Sequence, residues 1–336
     1  MVRLKDIALA AGVSVMTVSK VLRDAPDISS ATKTRIKRLA QQMGYVPDAM
    51  AQGLRTRTTR LLGLVISSVT NPIFARMMMG IEEGAHEAGY EIVLAHTLND
   101  PQREEIAIRR LLARRVDGMF IVPVYRLAPN APAYEELFQR ATPTVILGHR
   151  APFCAGFVNV ETEDVLASAS VTEHLISLGH KRIAFFAGPS ASPWARERLE
   201  GYRKALREAH LEQDDRLVFN AGTTIEDGEK AALQFLNEGI NVTAIQLAND
   251  LIAIGTASVL LQQGLRIPQD ISIAGYGNVL VSEYFRVPLT TVRQPKFRLG
   301  VAAMEAMKKL LAGEPADSRR LEAELVVRAS SGPAGS

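Results

Sequence analysis

The pattern of apolar and polar positions in the first 46 residues predicts three short helices. Apolar side chains recur at helical spacing over residues 4–11, 15–22 and 30–43. Gly12 ends the first helix, and Ser14 is placed to cap the second, because its hydroxyl can accept from an otherwise unpaired backbone N–H. Two short helices joined by a tight turn are typical of a helix-turn-helix, whose second helix enters the major groove of DNA.

From Leu62 onward the pattern changes to short apolar runs that alternate with amphipathic helices. This alternation predicts parallel, doubly wound α/β sheets. It restarts after about residue 158, which predicts two similar lobes with a ligand cleft at the carboxyl ends of their strands. The predicted strands are residues 62–66, 91–95, 118–123, 144–148, 182–188, 243–248 and 271–277.

Charge separates the same two regions. Residues 1–60 carry 11 Lys and Arg against 4 Asp, a net +7, whereas the other 276 residues carry 28 Lys and Arg against 32 Asp and Glu, a net −4. A basic segment ahead of a mildly acidic body indicates a polyanionic partner for the first segment only. Together with the helical pattern, this favours double-stranded DNA.

Composition excludes several classes of protein. The single cysteine, Cys154, cannot form an intramolecular disulfide, which fits a reducing cytoplasm and excludes the usual cysteine-based zinc sites. We expect no signal peptide, because the first twelve residues lack an apolar core, and no membrane span. The six histidines do not fall at metal-ligand spacing, so we expect neither a metal nor a cofactor.

Enzyme motifs are also missing from the sequence. The first core strand is followed by SSVTNPIF and not by a dinucleotide-binding G-x-G-x-x-G, and the chain has no P-loop. It has no G-x-S-x-G nucleophile elbow either. The sequence therefore predicts a binding protein and not an enzyme.

A short segment between the two regions has the features of a marginal helix. Asp48 is a good N-cap, but Gly53 costs about 0.5–1 kcal/mol relative to alanine in a helix interior. Helices of barely two turns are unstable in water unless something holds them. A plain linker is the alternative interpretation.

The sequence resembles the lac/galactose repressor (LacI/GalR) family of bacterial transcription regulators over essentially its whole length. The matching segments are residues 4–24, 44–54, 55–66, 71–90, 175–189, 195–202, 247–255, 266–276 and 288–295. The resemblance implies a hinge helix around residues 48–57 that folds on operator DNA and inserts Leu54 into the minor groove. Such an apolar wedge kinks DNA, and the kink is offset by added contact.

The resemblance also implies which residues contact DNA. Val15, Met16 and Lys20 lie where the family reads base edges: the first two can sense thymine methyls or shape, and Lys20 can donate to guanine. Most of the others are expected as phosphate anchors, although each can equally be an ordinary exposed polar residue. These other predicted contacts are Ser14, Thr17, Ser19, Ser29, Thr32, Arg35, Ala51, Leu54 and Arg55.

For the body, the resemblance implies a sensor core like a periplasmic sugar-binding protein. The predicted effector-binding residues are Ser68, Asn71, Phe74, His149, Arg150, Trp194, Arg198, Asn249, Gly277 and Gln294. Arg198 matches the arginine that clamps the ligand, with a surface ion pair to Glu197 or Glu200 as the alternative. Trp194 is either a stacking surface for a sugar or an aromatic residue in a surface loop.

One departure from the family pattern suggests the charge of the effector. Gly277 stands where members that bind neutral sugars usually carry an aspartate, and His149 and Arg150 stand where an acidic residue is often found. With Arg198 retained, these changes predict a more positive cleft. We therefore expect an effector of the sugar or sugar-acid class, with an anion favoured by this loop.

The resemblance implies a homodimer on a near-palindromic operator, because one helix-turn-helix covers one half-site. No heptad repeat follows the core, so we expect a dimer and not a tetramer. A free solute-binding protein is disfavoured by the basic first segment, and a regulator with a protein co-effector would have a similar sequence. The predicted domains are 1–47 (helix-turn-helix), 48–60 (hinge and linker), 61–329 (core; lobe 1 about 61–158 plus 290–320, lobe 2 about 159–289 plus 321–329) and a disordered tail, 330–336.

Overall fold

The computed structural model of the chain describes residues 2–46 and 58–335. The chain divides into two compact units, Met1–Thr59 and Arg60–Ser336, which we call the headpiece and the core.

The headpiece contains the three predicted helices. Gly12 ends the first helix in the left-handed conformation, with φ of +65°. The Ser14 hydroxyl caps the second, accepting from the Thr17 backbone N–H at 3.0 Å. These predictions are confirmed, and Ile7, Val18, Val21 and Ile36 are among the residues that form the buried centre of the bundle. The helices are α1 (Leu4–Ala11), α2 (Val15–Leu22) and α3 (Ser30–Gln42).

The first lobe of the core contains a six-stranded parallel sheet in the order β11-β5-β4-β3-β1-β2. Its strands are β1 (Leu61–Ile66), β2 (Glu91–His96), β3 (Gly118–Ile121), β4 (Thr144–Leu147), β5 (Val158–Thr162) and β11 (Arg319–Leu321). Its helices are α4 (Ile73–Glu87), α5 (Pro101–Ala113), α6 (Pro132–Gln139) and α12 (Lys296–Leu311). The central strands β3 and β4 are buried throughout, as expected where helices cover both faces of a parallel sheet.

The second lobe contains a four-stranded parallel sheet in the order β7-β6-β8-β9. Its strands are β6 (Ile183–Ala187), β7 (Val218–Asn220), β8 (Ala244–Leu247) and β9 (Ser272–Ala274). Its helices are α7 (Asp164–Ser177), α8 (Pro193–Glu208), α9 (Ile225–Glu238), α10 (Asp250–Gln262) and α11 (Leu280–Tyr284). A small antiparallel pair, β10 (Thr291–Arg293) and β12 (Glu324–Val326), completes the core. The doubly wound fold predicted from the alternating pattern is confirmed.

The chain passes between the lobes three times: after β5, between β10 and α12, and between β11 and β12. The lobe boundaries differ from those predicted. Residues 158–162 pair in the sheet of the first lobe, and residues 290–293 bridge to residues 274–277 of the second. The hydrophobic pattern misses this because a strand next to a crossover is apolar whichever lobe it joins.

The expectation that residues 330–336 are disordered is wrong for the part that the structure describes. Ser330 is fully buried, and its hydroxyl donates to the Ile273 carbonyl at 2.7 Å. His180 Nε2 lies 3.0 Å from the Gly332 carbonyl oxygen. Disorder was expected because the ends of a chain are often poorly ordered, but these hydrogen bonds hold residues 330–332 against the second lobe.

Candidate DNA-binding surface and effector cleft

Helix α2 of the headpiece presents two apolar side chains to solvent. Val15 is 45% exposed and Met16 is 68% exposed, whereas Val18 and Val21 on the other side of the helix are fully buried. Exposed apolar side chains on a second helix of this motif are suited to contact thymine methyl groups in a major groove. The structure therefore leaves Val15 and Met16 available for the predicted role.

Lys20 has a partner within the headpiece. Its ammonium forms an ion pair with Asp27, and this hydrogen bond lowers the pKa of the Asp27 carboxyl. Lys37 makes a similar pair with Asp24 at 2.6 Å. Both pairs are solvent-exposed, where such interactions are weak, so Lys20 can exchange Asp27 for a base or a phosphate at small cost.

The predicted phosphate anchors have local structural roles. The Ser14 and Thr17 hydroxyls lie 2.9 Å apart, and Ser29 and Thr32 repeat this arrangement at the start of α3. Caps of this kind leave the first backbone N–H groups of a helix facing outward, which suits an anion. Arg35 is exposed on α3, and the Ser19 carbonyl accepts from Arg23. The predicted contacts Ala51, Leu54 and Arg55 lie outside the described residues.

Within the core, a cavity of about 450 Å³ lies between the two lobes. Its walls include the segments that follow the carboxyl ends of strands in both sheets, which is where parallel α/β sheets bind ligands. Of the predicted effector residues, seven line this cleft: Asn71, Phe74, His149, Trp194, Arg198, Asn249 and Gln294.

Three predicted residues are not among those lining the cleft. The Ser68 hydroxyl hydrogen-bonds to Thr70 at 2.8 Å. Arg150 is exposed and donates to the Ala155 carbonyl at 3.2 Å. Gly277 has φ of +130°, and a Cβ there would lie 3.3 Å from Ile73 Cδ1. This backbone disfavours a side chain, so an aspartate does not fit Gly277 without a local rearrangement.

Arg198 is held in the cleft by buried contacts. Its Nε and Nη2 lie 3.1 and 3.0 Å from Asp164 Oδ2, and its Nη1 donates to the Ala248 carbonyl at 2.6 Å. The guanidinium stacks between Trp194 and Tyr276, 4.7 and 3.7 Å from the ring centroids. The alternatives of a surface ion pair and a surface-loop tryptophan are therefore wrong for this structure.

Asp164 is the partner that sequence reasoning missed. Its Oδ1 accepts from the hydroxyls of Thr162 and Tyr276, each at 2.6 Å. Burial and the nearby Asp164 charge raise the pKa of Tyr276 well above its ordinary value, so its phenol remains a donor. Gln294 Nε2 donates to the Thr162 hydroxyl at 2.9 Å, which joins the β10–α12 crossover to the same network.

A second missed carboxylate, Asp250, lines the cleft beside Tyr276, whose carbonyl accepts from the Asp250 N–H at 2.9 Å. It accepts from the Val279 N–H at 2.9 Å and from the Ser282 and Thr291 hydroxyls at 2.7 and 2.6 Å. Asn249, next to it, caps α10 through its side chain and donates to the Thr223 carbonyl at 3.2 Å. The local sequence Ala248-Asn249-Asp250 contained this signal, because an acid at a helix start after a strand lies at the ligand edge of the sheet.

Glu104 supports the first-lobe wall of the cleft from behind. It is fully buried, accepts from the Val124 N–H at 2.7 Å and from the Tyr134 hydroxyl at 2.8 Å, and pairs with Arg126. Burial raises the pKa of this carboxyl. The contact with Val124 fixes the loop after β3, which lines the cleft.

Lys296 is a buried cation behind Gly277. Its ammonium donates to the Gly277 and Asn278 carbonyls at 2.6 and 2.9 Å, and burial lowers its pKa to about 8. These bonds tie the first turn of α12 to the loop that follows β9.

The lining of the cleft is rich in acidic side chains, which the expectation of a more positive cleft did not include. Its lining includes the carboxylates of Glu161, Asp164, Asp227 and Asp250, and Arg198 is already paired with one of them. The prediction considered two loops only, whereas these acids come from β5 and from the first turns of α7, α9 and α10. Their charge disfavours an anionic ligand.

Among residues 2–46 and 58–335, no group of three or more His, Cys, Asp or Glu side chains is placed to hold a metal ion. No helix within those same ranges is long and apolar enough to cross a membrane.

Comparison with known proteins agrees with both units. Residues 3–48 match the family described as bacterial regulatory proteins, lacI family, and residues 172–331 match a periplasmic binding protein-like domain. The chain is 32% identical over 324 residues to the ribose operon repressor of Escherichia coli K12, covering 96% of this chain and 97% of that protein. It is 33% identical over 337 residues to the transcriptional repressor PurR of Photobacterium profundum, covering 98% of each.

A solved structure shows the same architecture. The lac repressor dimer bound to operator and the anti-inducer ONPF superimposes with a TM-score of 0.85 at 28% identity, covering 98% of this chain and 99% of that one. The family's members are transcription regulators and not enzymes, which confirms the prediction from the missing motifs. The helix-turn-helix, the sensor-like core and the similarity over the full length all lead to one conclusion. The chain belongs to the lacI family of DNA-binding bacterial transcription regulators.

Proposed function

We propose that this protein is a homodimeric repressor whose affinity for operator DNA changes when a small, neutral, hydroxyl-rich effector binds between the lobes of the core. The observation that carries the proposal is the cleft of about 450 Å³, lined from both lobes, in a chain that begins with a helix-turn-helix. A ligand that contacts both lobes stabilises one of their arrangements over others, which is the requirement for allosteric control.

The cleft combines the two features that sugars require. Trp194 and Phe74 offer apolar surface to the faces of a sugar ring, and Asn71, Asp227 and Gln294 offer amide and carboxylate groups to its hydroxyls. Relatives support this class: one repressor controls the ribose operon, and one solved regulator of this fold is a complex with cellobiose. The carboxylates of the lining favour a neutral sugar over the sugar acid expected from the sequence.

Dimerisation is supported by exposed apolar side chains on both lobes. Leu94 on the edge strand β2 is 46% exposed, and Met79 and Ile106 on the neighbouring helices α4 and α5 are about as exposed. On the second lobe, Leu280 and Tyr284 of α11 are each 75% exposed. Large apolar residues in such clusters are typical of interfaces, and a partner copy would bring a second headpiece to the other half-site.

The proposed link between cleft and headpiece is the segment 48–57. Residues 48–57 lie outside the described residues, and this step rests on the sequence, in which Asp48 and Gly53 predict a helix of marginal stability. A small change in the spacing of the two segments in a dimer is then enough to unfold such a helix and withdraw Leu54 from DNA. Coupling of this kind is typically about 1–3 kcal/mol and is reciprocal.

Two measurements test the proposal in order. Operator duplexes are first selected from random DNA with the full chain, and binding is measured by fluorescence anisotropy. Ribose, cellobiose and other neutral sugars are then compared with gluconate and sugar phosphates by calorimetry and by their effect on operator affinity. We expect a neutral sugar to bind and shift operator affinity; a response to acids only would contradict the proposed effector class, and no selected duplex would contradict operator binding.

A further inference from the structure

We infer that Glu197 is the positioning residue that clamps the cleft shut, because His149 and Arg320 of the first lobe both bind its carboxylate. His149 Nε2 lies 3.0 Å from Glu197 Oε2, and Arg320 Nη2 donates to Glu197 Oε1 at 2.8 Å. We call these three residues the interlobe clamp. The clamp depends on the proposed function only for its effect on operator DNA.

The clamp joins parts of the core that are far apart in sequence. His149 follows β4, and Arg320 lies on β11 of the same sheet, so both belong to the first lobe. Glu197 lies in the first turns of α8 in the second lobe, immediately before Arg198. When the lobes separate, both contacts to Glu197 must break, and the helix that carries Arg198 moves away from the opposite wall.

Arg320 is oriented for this contact before the lobes meet. Its Nε donates to Glu161 at 2.8 Å and its Nη1 to Glu163 at 3.0 Å, and both acceptors adjoin the first crossover. Because the planar guanidinium is already fixed by two carboxylates, forming the third bond costs little side-chain entropy. Arg320 therefore gains Glu197 on closure and keeps its other partners on opening.

His149 makes the clamp sensitive to pH. Burial alone would lower its pKa, but the hydrogen bond to Glu197 and the surrounding carboxylates outweigh burial and raise the pKa above the ordinary 6.5. The charged or titratable groups that face His149 are Glu161 on β5, Asp164 on α7, Glu197 on α8, Arg320 on β11 and Tyr125, whose hydroxyl donates to the His149 carbonyl.

The direction of the pH effect follows from linkage. Opening separates the imidazolium from Glu197, so the pKa of His149 is higher in the closed form than in the open form. Closure is therefore most favourable at pH values below the open-form pKa. It weakens as pH rises through the closed-form pKa.

Trp194 provides a direct readout, because it is the single tryptophan of the chain and lines the cleft one turn before Glu197. Acrylamide quenching of its fluorescence lifetime measures the access of solvent to the cleft in the full chain, without effector or DNA. We expect the quenching constant to rise between pH 5.5 and 8.5. Glu197→Gln should be readily quenched at every pH in this range. At low pH its ratio of open to closed molecules should be about fivefold higher than in the wild type, which corresponds to the loss of a partly exposed charged hydrogen bond.

Matched variants separate the clamp from general effects of charge. His149→Gln should flatten the pH profile, and Arg320→Gln should raise quenching while the profile persists. Glu200→Gln is the control on α8, because Glu200 pairs with Arg207 of the same helix at 2.6 Å. Arg319→Gln is the control on β11, because Arg319 pairs with Glu305 of the first lobe at 2.5 Å.

Two outcomes would overturn the clamp: a wild-type profile that His149→Gln leaves unchanged, or Glu197→Gln quenched no more than Glu200→Gln. Circular dichroism and urea unfolding of each variant confirm that the core is folded. Because the quenching uses neither sugar nor DNA, failure of the clamp leaves the operator and sugar titrations to be judged separately.

Discussion

The headpiece and the cleft hold their functional side chains in different ways. In the headpiece, the hydroxyls of Ser14 and Ser29 bond to backbone three residues away, and the ion pair of Lys20 faces solvent. In the cleft, Asp164 and Tyr276 meet across 112 residues of chain, and both are buried. A surface that exchanges its partners for DNA needs weak local bonds, whereas a cleft that senses shape needs a rigid frame.

The largest expected effect comes from breaking the frame of the cleft. Asp164→Ala leaves the Arg198 guanidinium buried without its carboxylate, which should destabilise the core by about 3 kcal/mol. Urea unfolding followed by fluorescence measures the change. Asp27→Asn removes the carboxylate partner of Lys20 at the surface and should leave stability nearly unchanged; equal losses in the two variants would contradict the comparison.

The second prediction concerns the affinity for operator DNA and not the binding of effector. Leu54→Ala should weaken binding to a selected operator by about 2 kcal/mol, roughly thirtyfold, because it removes the leucine that is proposed to insert into the minor groove. Effector binding measured by calorimetry should not change. If the variant binds operator as tightly as the wild type, the proposed hinge is wrong.

Lys20 tests base reading against simple charge. Lys20→Gln should cost about 1–3 kcal/mol on the selected operator and relax the preference at one base position. Asp27→Asn should instead strengthen operator binding, because it frees Lys20 from its partner. Anisotropy titrations on operators with single base changes distinguish base reading from a general effect of charge. If Lys20→Gln weakens binding equally on all of these sequences, Lys20 contacts a phosphate and not a base.

The smallest effect is on the headpiece cap. Ser14→Ala removes the acceptor for the Thr17 N–H and should destabilise the headpiece by about 1 kcal/mol. Hydrogen exchange of residues 15–22 measures this, with the amides of the core as an internal reference. Faster exchange in the core as well would contradict a purely local role for this cap.

The contrast between local bonds in the headpiece and long-range bonds in the cleft also explains which features of the structure could be predicted from the sequence. The helices of the headpiece, their caps and the alternating strands of the core follow from local patterns, because each depends on residues within a turn or a strand. The predicted cleft residues Arg198, Asn249 and Gln294 came from family resemblance and line the cavity.

What the sequence did not predict depends on distant partners. Asp164 has no special local pattern, and the helix-start position of Asp250 does not reveal its partners. The roles of both carboxylates arise from hydroxyls supplied by residues 276, 282 and 291. The acidic lining of the cleft was missed for the same reason, because Gly277 and Arg150 were judged without the acids that other elements contribute to the lining. The burial of Ser330 was missed because the acceptor for its hydroxyl, the Ile273 carbonyl, lies on the second sheet.

The central claim is that one ligand in the cleft controls the affinity of the headpiece for DNA. Its most direct test is the dissociation constant of the sugar identified by calorimetry, measured with and without saturating operator. The account predicts a change of about 5- to 150-fold, matched by the same factor in operator affinity when the sugar is saturating. A sugar affinity that is identical with and without operator would contradict it.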